Sequence, residues 1–182
     1  MLNVDTAQCF IEVYTRFPGT NDSFNYGYNT PVFAFKISPG QAPSLTNTGV
    51  TKIHAQSNWT ELMGPSYGQY TSLINYSDGE YIHSVACNQR NTHNVDPGTY
   101  NLLGQRASHG CMRTCVRNAF WVYCYVPGNT LVDIKDGGHL LTTALIPQPK
   151  MYGGTSIDPT DPLYTGNYSY LDNGKYYGSY YF

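Results

Sequence analysis

Hydrophobic residues occur along this chain in short runs with partial alternation, which is typical of β-strands rather than of long helices. Gly, Pro, Asn and Ser cluster between the runs, as at 15–30 and 38–48, and these residue types favour turns and loops. Ser77-Asp78-Gly79 fits a hairpin turn between two of the runs. The pattern predicts strands at 7–14, 31–37, 49–54, 69–76, 80–86 and 130–135.

One segment has a helical pattern instead. Within residues 114–126, apolar side chains recur at helical spacing, and Pro127-Gly128 ends the segment. The broad apolar face comprises Ala119, Phe120, Val122, Tyr123 and Val126. The prediction is therefore a mainly β fold with one short helix.

The composition fits a β-rich protein with a single core. The chain has 182 residues, of which 41% are hydrophobic, enough for one domain. Charged residues make up only 12%, while Tyr and Gly supply 18 residues each, which indicates an exported type of protein. The net charge is −2 and Lys or Arg residues form no run, so a nucleic-acid partner is not expected.

The end of the sequence differs from the rest. A Pro- and Gly-rich stretch follows Gly137-Gly138, and residues 163–182 are rich in Tyr with few aliphatic side chains. We predict one domain over residues 1–162 and a Tyr-rich tail, or an extra strand, over 163–182. The segment 1–5 is too polar for a signal peptide, so we expect a leader to be missing or the sequence to be one domain of a longer protein.

Five cysteines give an odd count, and a catalytic thiol would explain the unpaired one. Buried free thiols that pack as small hydrophobic residues are the commoner interpretation for the other four. Their pairing stays open: Cys9, Cys87, Cys115 and Cys124.

The stretch Ser108-His109-Gly110-Cys111-Met112-Arg113 carries the clearest chemistry. Gly110 allows a tight turn that presents the thiol of Cys111 just before the predicted helix. A helix N-terminus lowers a thiol pKa and offers backbone N–H donors to an oxyanion. The pattern therefore predicts that Cys111 is a nucleophile.

A nucleophilic thiol needs a base, and two histidines compete for that role. His83 lies on a predicted strand, whereas His93 lies in a polar loop. We favour His83 on its local sequence, because loop length changes at little energetic cost and spacing is the weaker argument.

A metal site is the main chemical alternative. Five potential metal ligands lie between residues 87 and 115, but no Cys-x-x-Cys pair is present. A zinc site is therefore less favoured than a nucleophilic cysteine. These residues are Cys87, His93, His109, Cys111 and Cys115. We expect neither a metal nor a cofactor.

Residues 103–113, with Tyr81-Ile82-His83-Ser84 upstream, resemble the active-site signature of the L,D-transpeptidases of the YkuD type. The stretches 59–62, 68–70, 118–134 and 158–162 also resemble that family, and the last is similar to a domain-end motif of clostridial-type members. The resemblance implies a β-sandwich of mixed sheets with a short helix after the catalytic cysteine. Two departures are Thr46-Asn47-Thr48-Gly49, in place of Thr-Pro-x-Gly, and Cys115.

The resemblance also implies roles for single residues. Cys111 would be the nucleophile and His83 the base, with the Ser84 carbonyl holding the imidazole. His109 and Gly110 would serve the oxyanion and position the substrate. Substrate binding would involve three further side chains: Tyr81, Ser108 and Arg113.

The family chemistry is acyl transfer from peptidoglycan stem peptides, which forms 3→3 cross-links and releases D-Ala. Runner-up functions are an L,D-carboxypeptidase, a wall-protein-anchoring enzyme and, from another class, an inactive stem-peptide-binding module. Carbapenem-type β-lactams are the expected covalent inhibitors, and a monomer acting at the bacterial cell wall is expected.

Residues 88–101 form a strongly polar segment that predicts a surface loop. A long connection without an apolar pattern is more often functional or mobile than structural. Because its ends lead toward His83 and Cys111, we predict that it forms one wall of the peptide groove, with Arg90 available to substrate carboxylates.

Overall fold

The computed structural model describes residues 1–16, 27–91, 93–154 and 156–161. Within this part of the chain the fold is mainly β, with two sheets and two short helices. The predicted tail, 163–182, lies outside the described residues, as does most of the predicted loop 15–30. The strands are β1 Leu2–Asp5, β2 Phe10–Arg16, β3 Tyr28–Lys36, β4 Gly49–Lys52, β5 Ala55–Leu62, β6 Ser66–Asn75, β7 Glu80–Ser84, β8 Met112–Thr114 and β9 Leu131–Lys135. The helices are α1 Pro97–Tyr100 and α2 Val116–Tyr125.

Both sheets are mixed. The five-stranded sheet has the order β3-β2-β1-β9-β4, with β1 and β9 parallel, and the four-stranded sheet has the order β5-β6-β7-β8, with β7 and β8 parallel. Apolar side chains from both sheets and from α2 form one core cluster. Leu2, Ile11 and Val132 come from the first sheet, and Ile82 and Met112 from the second. This confirms the predicted fold of two packed mixed sheets.

Helix α2 confirms the predicted helix within two residues at its start. Ala119 and Val122 are buried, whereas Phe120 and Tyr123 are partly buried and stack on the ring of Tyr70 in β6. The helix therefore packs its apolar face on the sheet that carries His83.

The segment 88–101 differs from the prediction of an entirely solvated loop. Asp96 caps the single-turn helix α1 by accepting the Thr99 N–H at 2.7 Å. Val95 and Tyr100 are buried in a second apolar cluster. The sequence pattern did not reveal these two inward-facing side chains, because the residues around them are polar. The other members are Val85, Cys87, Leu103, Cys115 and Met151.

The start of α2 is capped from a distant part of the chain. Its N-cap residue, Cys115, makes no side-chain capping bond. Instead Asp158 Oδ2 accepts the Val116 N–H at 2.7 Å, and Thr160 Oγ1 accepts the Arg117 N–H at 3.1 Å. The domain-end motif thus satisfies two of the free N–H groups that every helix start carries.

Candidate active site

Cys111 lies on a turn and not at a helix start, which corrects the sequence prediction. Strand β8 begins directly after it, and α2 begins only at Val116. Gly110 has φ +115°, a conformation that an L side chain rarely adopts, so glycine is required at this turn. The α2 N-terminus is therefore not the source of any thiol activation.

The turn is tied to the neighbouring loop by hydrogen bonds. Thr46 Oγ1 accepts the Gly40 N–H at 2.8 Å and donates to the Gly110 carbonyl at 2.6 Å. The buried hydroxyl of Ser108 donates to the Cys111 carbonyl, so Ser108 acts within the turn. These bonds fix the backbone that presents the sulfur.

His83 lies on β7 and is almost fully buried, with 1% of its surface exposed. Its Nδ1 lies 2.5 Å from the Ser84 carbonyl oxygen. A carbonyl can only accept, so Nδ1 carries the proton and Nε2 is the nitrogen able to take one. The Ser84 hydroxyl in turn accepts the Gln69 N–H at 3.0 Å, which holds the residue in place.

Gly68 on β6 packs directly against the imidazole. A Cβ at this position would lie 2.9 Å from His83 Nδ1, closer than real Cβ contacts, and 3.1 Å from its Cγ. A glycine inside a strand often marks such a close approach. Gly68 is visible in the sequence, but the sequence alone does not identify His83 as the residue that it contacts.

One cavity brings the predicted nucleophile and base together. Its wall contains Cys111 and His83, with Arg113, His109 and Tyr81 beside them. The lining also includes residues of the β5–β6 hairpin, of the β6–β7 turn and of the start of β7, which the sequence analysis had not assigned to the site. These residues are Glu61, Leu62, Met63, Ser66, Asp78, Gly79 and Glu80, and Ala86 and Ser108 complete the lining.

The resting pair is neutral at pH 7. Burial lowers the pKa of His83 to about 4, although its bond to Ser84 partly opposes this. Burial also raises the pKa of Cys111, with Glu80 adding to the rise, while the Tyr81 backbone and Arg113 oppose it. A thiol beside a neutral imidazole is the starting state for general-base activation rather than a preformed ion pair.

Arg113, a charged residue of the cavity lining, has defined hydrogen-bond partners. Arg113 donates through Nη1 to the Ala107 carbonyl at 2.9 Å, and its backbone pairs with Ser38 at the exit of β3. His109 is exposed at the cavity mouth, and Tyr81 is half-buried. Arg113 therefore braces the turn while its charge lies near Cys111.

Two residues weighed for the site lie apart from this lining. His93 is exposed, and its backbone N–H donates to Asn91 Oδ1 at 2.9 Å. Arg90 is exposed, with its guanidinium 5.4 Å from the centre of the Tyr67 ring. None of the described residues of 88–101 is among those lining this cavity, and the groove wall at this segment stays a prediction.

The remaining thiols are unpaired in the structure. Cys9, Cys87 and Cys115 are buried and Cys124 is exposed. Among the described residues, no three His, Cys, Asp or Glu side chains are grouped so as to hold a metal ion. In the same part of the chain, no helix has the length and apolar character needed to cross a membrane.

Two packed mixed sheets place a cysteine and a carbonyl-held histidine on one cavity, an arrangement in which a base lies beside a candidate nucleophile. The family described as YkuD, L,D-transpeptidase catalytic domain, matches residues 19–134, more than half of the chain. The chain belongs to this family. A search of curated proteins finds no match.

Several solved structures share the fold. A fused Zn-dependent amidase/peptidase/peptidoglycan-binding protein of Clostridium acetobutylicum aligns with TM-score 0.54 at 20% identity, covering 74% of this chain and 51% of its own. An L,D-transpeptidase of Mycobacterium smegmatis gives 0.57 at 16%, covering 74% and 57%. L,D-transpeptidase LdtMt1, in complex with imipenem, gives the same four values. The chain thus spans only a little over half of each of these structures.

Proposed function

We propose that this chain is a cysteine L,D-transpeptidase that cross-links peptidoglycan stem peptides. The observation that carries the proposal is the shared cavity of Cys111 and His83, with His83 Nδ1 held by the Ser84 carbonyl. This geometry leaves Nε2 to accept the thiol proton, which is the requirement for a cysteine nucleophile paired with a base.

The proposed reaction has two acyl-transfer steps and uses no cofactor. Cys111 Sγ attacks the carbonyl of meso-diaminopimelate at position three of a tetrapeptide stem, and His83 takes the thiol proton. The bond to D-Ala breaks, and D-Ala leaves with the proton from His83. A side-chain amine of a second stem then attacks the thioester, which frees Cys111 and forms the 3→3 cross-link. Backbone N–H groups at the Gly110–Cys111 turn are the proposed oxyanion donors.

The acceptor defines the competing functions. Water would make the chain an L,D-carboxypeptidase, and an amine of a wall protein would make it an anchoring enzyme. An inactive stem-peptide-binding module is the alternative of another class. The raised pKa of Cys111 does not separate that module from an enzyme, so the reaction product has to decide.

Stem peptides lie outside the cytoplasmic membrane, so we propose that the protein acts in the bacterial cell wall, as a monomer. The imipenem complex of LdtMt1 supports carbapenems as covalent probes of the thiol. We expect a carbapenem to acylate Cys111 alone, because Cys9, Cys87 and Cys115 are buried and Cys124 lies on α2 outside the cavity.

Incubation with a purified disaccharide-tetrapeptide, followed by mass spectrometry, tests the proposal. A dimer with loss of D-Ala supports a transpeptidase, a tripeptide product supports a carboxypeptidase, and the absence of any product supports the binding module. Cys111→Ala should abolish product, whereas Cys124→Ala, which removes an exposed thiol, should not.

A further inference from the structure

A buried carboxylate lies next to the nucleophile and has no role in the mechanism above. Glu80, the first residue of β7, is only 4% exposed, yet it lines the cavity. Its Oε1 accepts the Asn47 N–H at 2.9 Å and its Oε2 accepts from Asn75 Nδ2 at 3.3 Å. None of the ion pairs among the described residues includes Glu80, so two neutral donors compensate a buried negative charge.

The sulfur of Cys111 lies against the backbone on both sides of Glu80. Sγ is 3.7 Å from the Gly79 carbonyl oxygen, and the backbone of Tyr81 is close enough to lower the pKa of Cys111. The Glu80 side chain runs beneath the turn, where a Cβ at Gly110 would lie 3.4 Å from Oε1. The carboxylate is thus enclosed by the Cys111 turn, the β6–β7 turn and the loop that contains Asn47.

We propose that Glu80 is a positioning residue, which anchors the turn carrying Cys111 to the loop at Asn47 and places a fixed negative charge beside the sulfur. The inference deepens the proposed function, because it assigns a role to a neighbour of the proposed nucleophile. Burial is the main cause of the raised pKa of Cys111 and the charge of Glu80 adds to it, so both favour the thiol form until His83 removes its proton. A thiol resists oxidation better than a thiolate, so the same charge protects the resting site.

Other charged groups near the sulfur also influence the pKa of Cys111. Glu80 raises the pKa of Cys111 and Arg113 on β8 opposes it, so the two act in opposite directions. A like charge within a few ångströms disfavours ionisation, and neutralising Glu80 removes that effect. The further titratable groups on the cavity wall are Glu61, Asp78, Tyr81, His83 and His109.

The test is the pH dependence of Cys111 alkylation by iodoacetamide, followed by mass mapping of the modified peptide. Glu80→Gln keeps the length of the side chain and one acceptor oxygen but removes the charge. We expect the midpoint to fall, which makes alkylation at pH 7 severalfold faster than in the wild type. Glu80→Met, a second neutral variant, should shift the profile in the same direction, and peroxide should oxidise Cys111 faster in both.

Two charge controls separate this role from a structural one. Glu80→Asp keeps the charge and should keep the wild-type midpoint. Asp78→Asn is the matched control, because Asp78 accepts from the same two asparagines, Asn47 and Asn75, but is not among the groups that shift the Cys111 pKa. Unchanged midpoints in both neutral variants, or an equal shift in Asp78→Asn, would overturn the inference. Iodoacetamide needs no peptide substrate, so a failure of the proposed cross-linking activity would leave this result readable.

Discussion

At the scale of single residues, the difference between His83 and His93 lies in what surrounds each ring. His83 is buried, held by the Ser84 carbonyl and placed on the cavity of Cys111, whereas His93 is exposed. We expect His83→Ala to reduce carbapenem acylation of Cys111 by roughly 10²–10⁴-fold, the usual effect of losing a general base. His93→Ala, the matched control, should change it little. Stopped-flow acylation kinetics measure both, and the reverse ranking would reassign the base.

Gly68 gives a second prediction at this scale. The Cβ of Gly68→Ala would overlap His83 Nδ1, so the ring must move and its bond to Ser84 weakens. Misplacing a catalytic group by about 1 Å can cost about 10²-fold in rate, and we expect an acylation loss of that order. Gly128→Ala is the control, since a Cβ there would meet nothing within 4 Å. Equal rates for the two variants would show that the ring does not depend on Gly68.

Sequence analysis identified the residues that short motifs mark, and it missed the residues whose importance depends on contacts between distant segments. Cys111 and His83 were found from short motifs. The thiol environment was predicted wrongly, because strand β8 separates Cys111 from α2 and burial raises its pKa. Glu80 could not be found, because its place beneath Gly110 depends on how two distant segments pack.

At the scale of elements, α2 depends on a cap that lies about forty residues further along the chain. Asp158→Ala removes the acceptor of the Val116 N–H, and we expect it to lower the free energy of unfolding by about 1–2 kcal/mol. Asp96→Ala is the matched control, since this exposed residue caps the single turn α1. We expect the control to cost less in urea unfolding, because α1 has only one turn to lose. An equal or larger cost for Asp96 would argue against the long-range cap.

The contribution of the Asp158 carboxyl to stability should also depend on pH. Burial raises the pKa of Asp158 to about 6 from an ordinary value of 3.8. The folded protein therefore binds a proton at Asp158 more readily than the unfolded chain, and this contribution to stability is lost as the pH rises from about 4 through 6. Wild type should be more favoured over Asp158→Asn at pH 4 than at pH 7. A difference that does not change with pH would contradict the assignment.

Element prediction succeeded where one periodicity prevailed. The helix at 114–126 and the hairpin around Ser77-Asp78-Gly79 were found, because their apolar spacing and turn residues agree. Strands β1, β5 and β8 were missed, since β1 has only four residues with buried polar Asn3 and Asp5, β5 has no buried residue, and β8 has only three residues. Their positions are set by pairing with neighbouring strands rather than by their own composition.

At the scale of the whole molecule, pattern and composition predicted a mainly β fold with one helix but not the strand order. The parallel pairing of Leu2–Asp5 with Leu131–Lys135 joins the first and last described strands in chain order, and no local signal specifies so distant a contact. The family resemblance supplied the mixed sheets in advance. The boundary at residue 162 also came from composition, and it stays a prediction.

Two truncations test that boundary. Removing 163–182 should leave both carbapenem acylation and the thermal midpoint unchanged, because the segment contains no catalytic motif and follows the capping residues. Truncation after residue 157 also removes Asp158 and Thr160, which accept two N–H groups at the start of α2. We expect this longer deletion to lower the midpoint by about 4–8 °C, since two lost capping bonds correspond to about 2 kcal/mol in a domain of this size. Calorimetry and acylation kinetics on both truncated proteins test these expectations. Slower acylation after the short deletion would move the domain boundary beyond residue 162. Equal thermal midpoints for the two truncations would argue against a capping role of the domain-end motif.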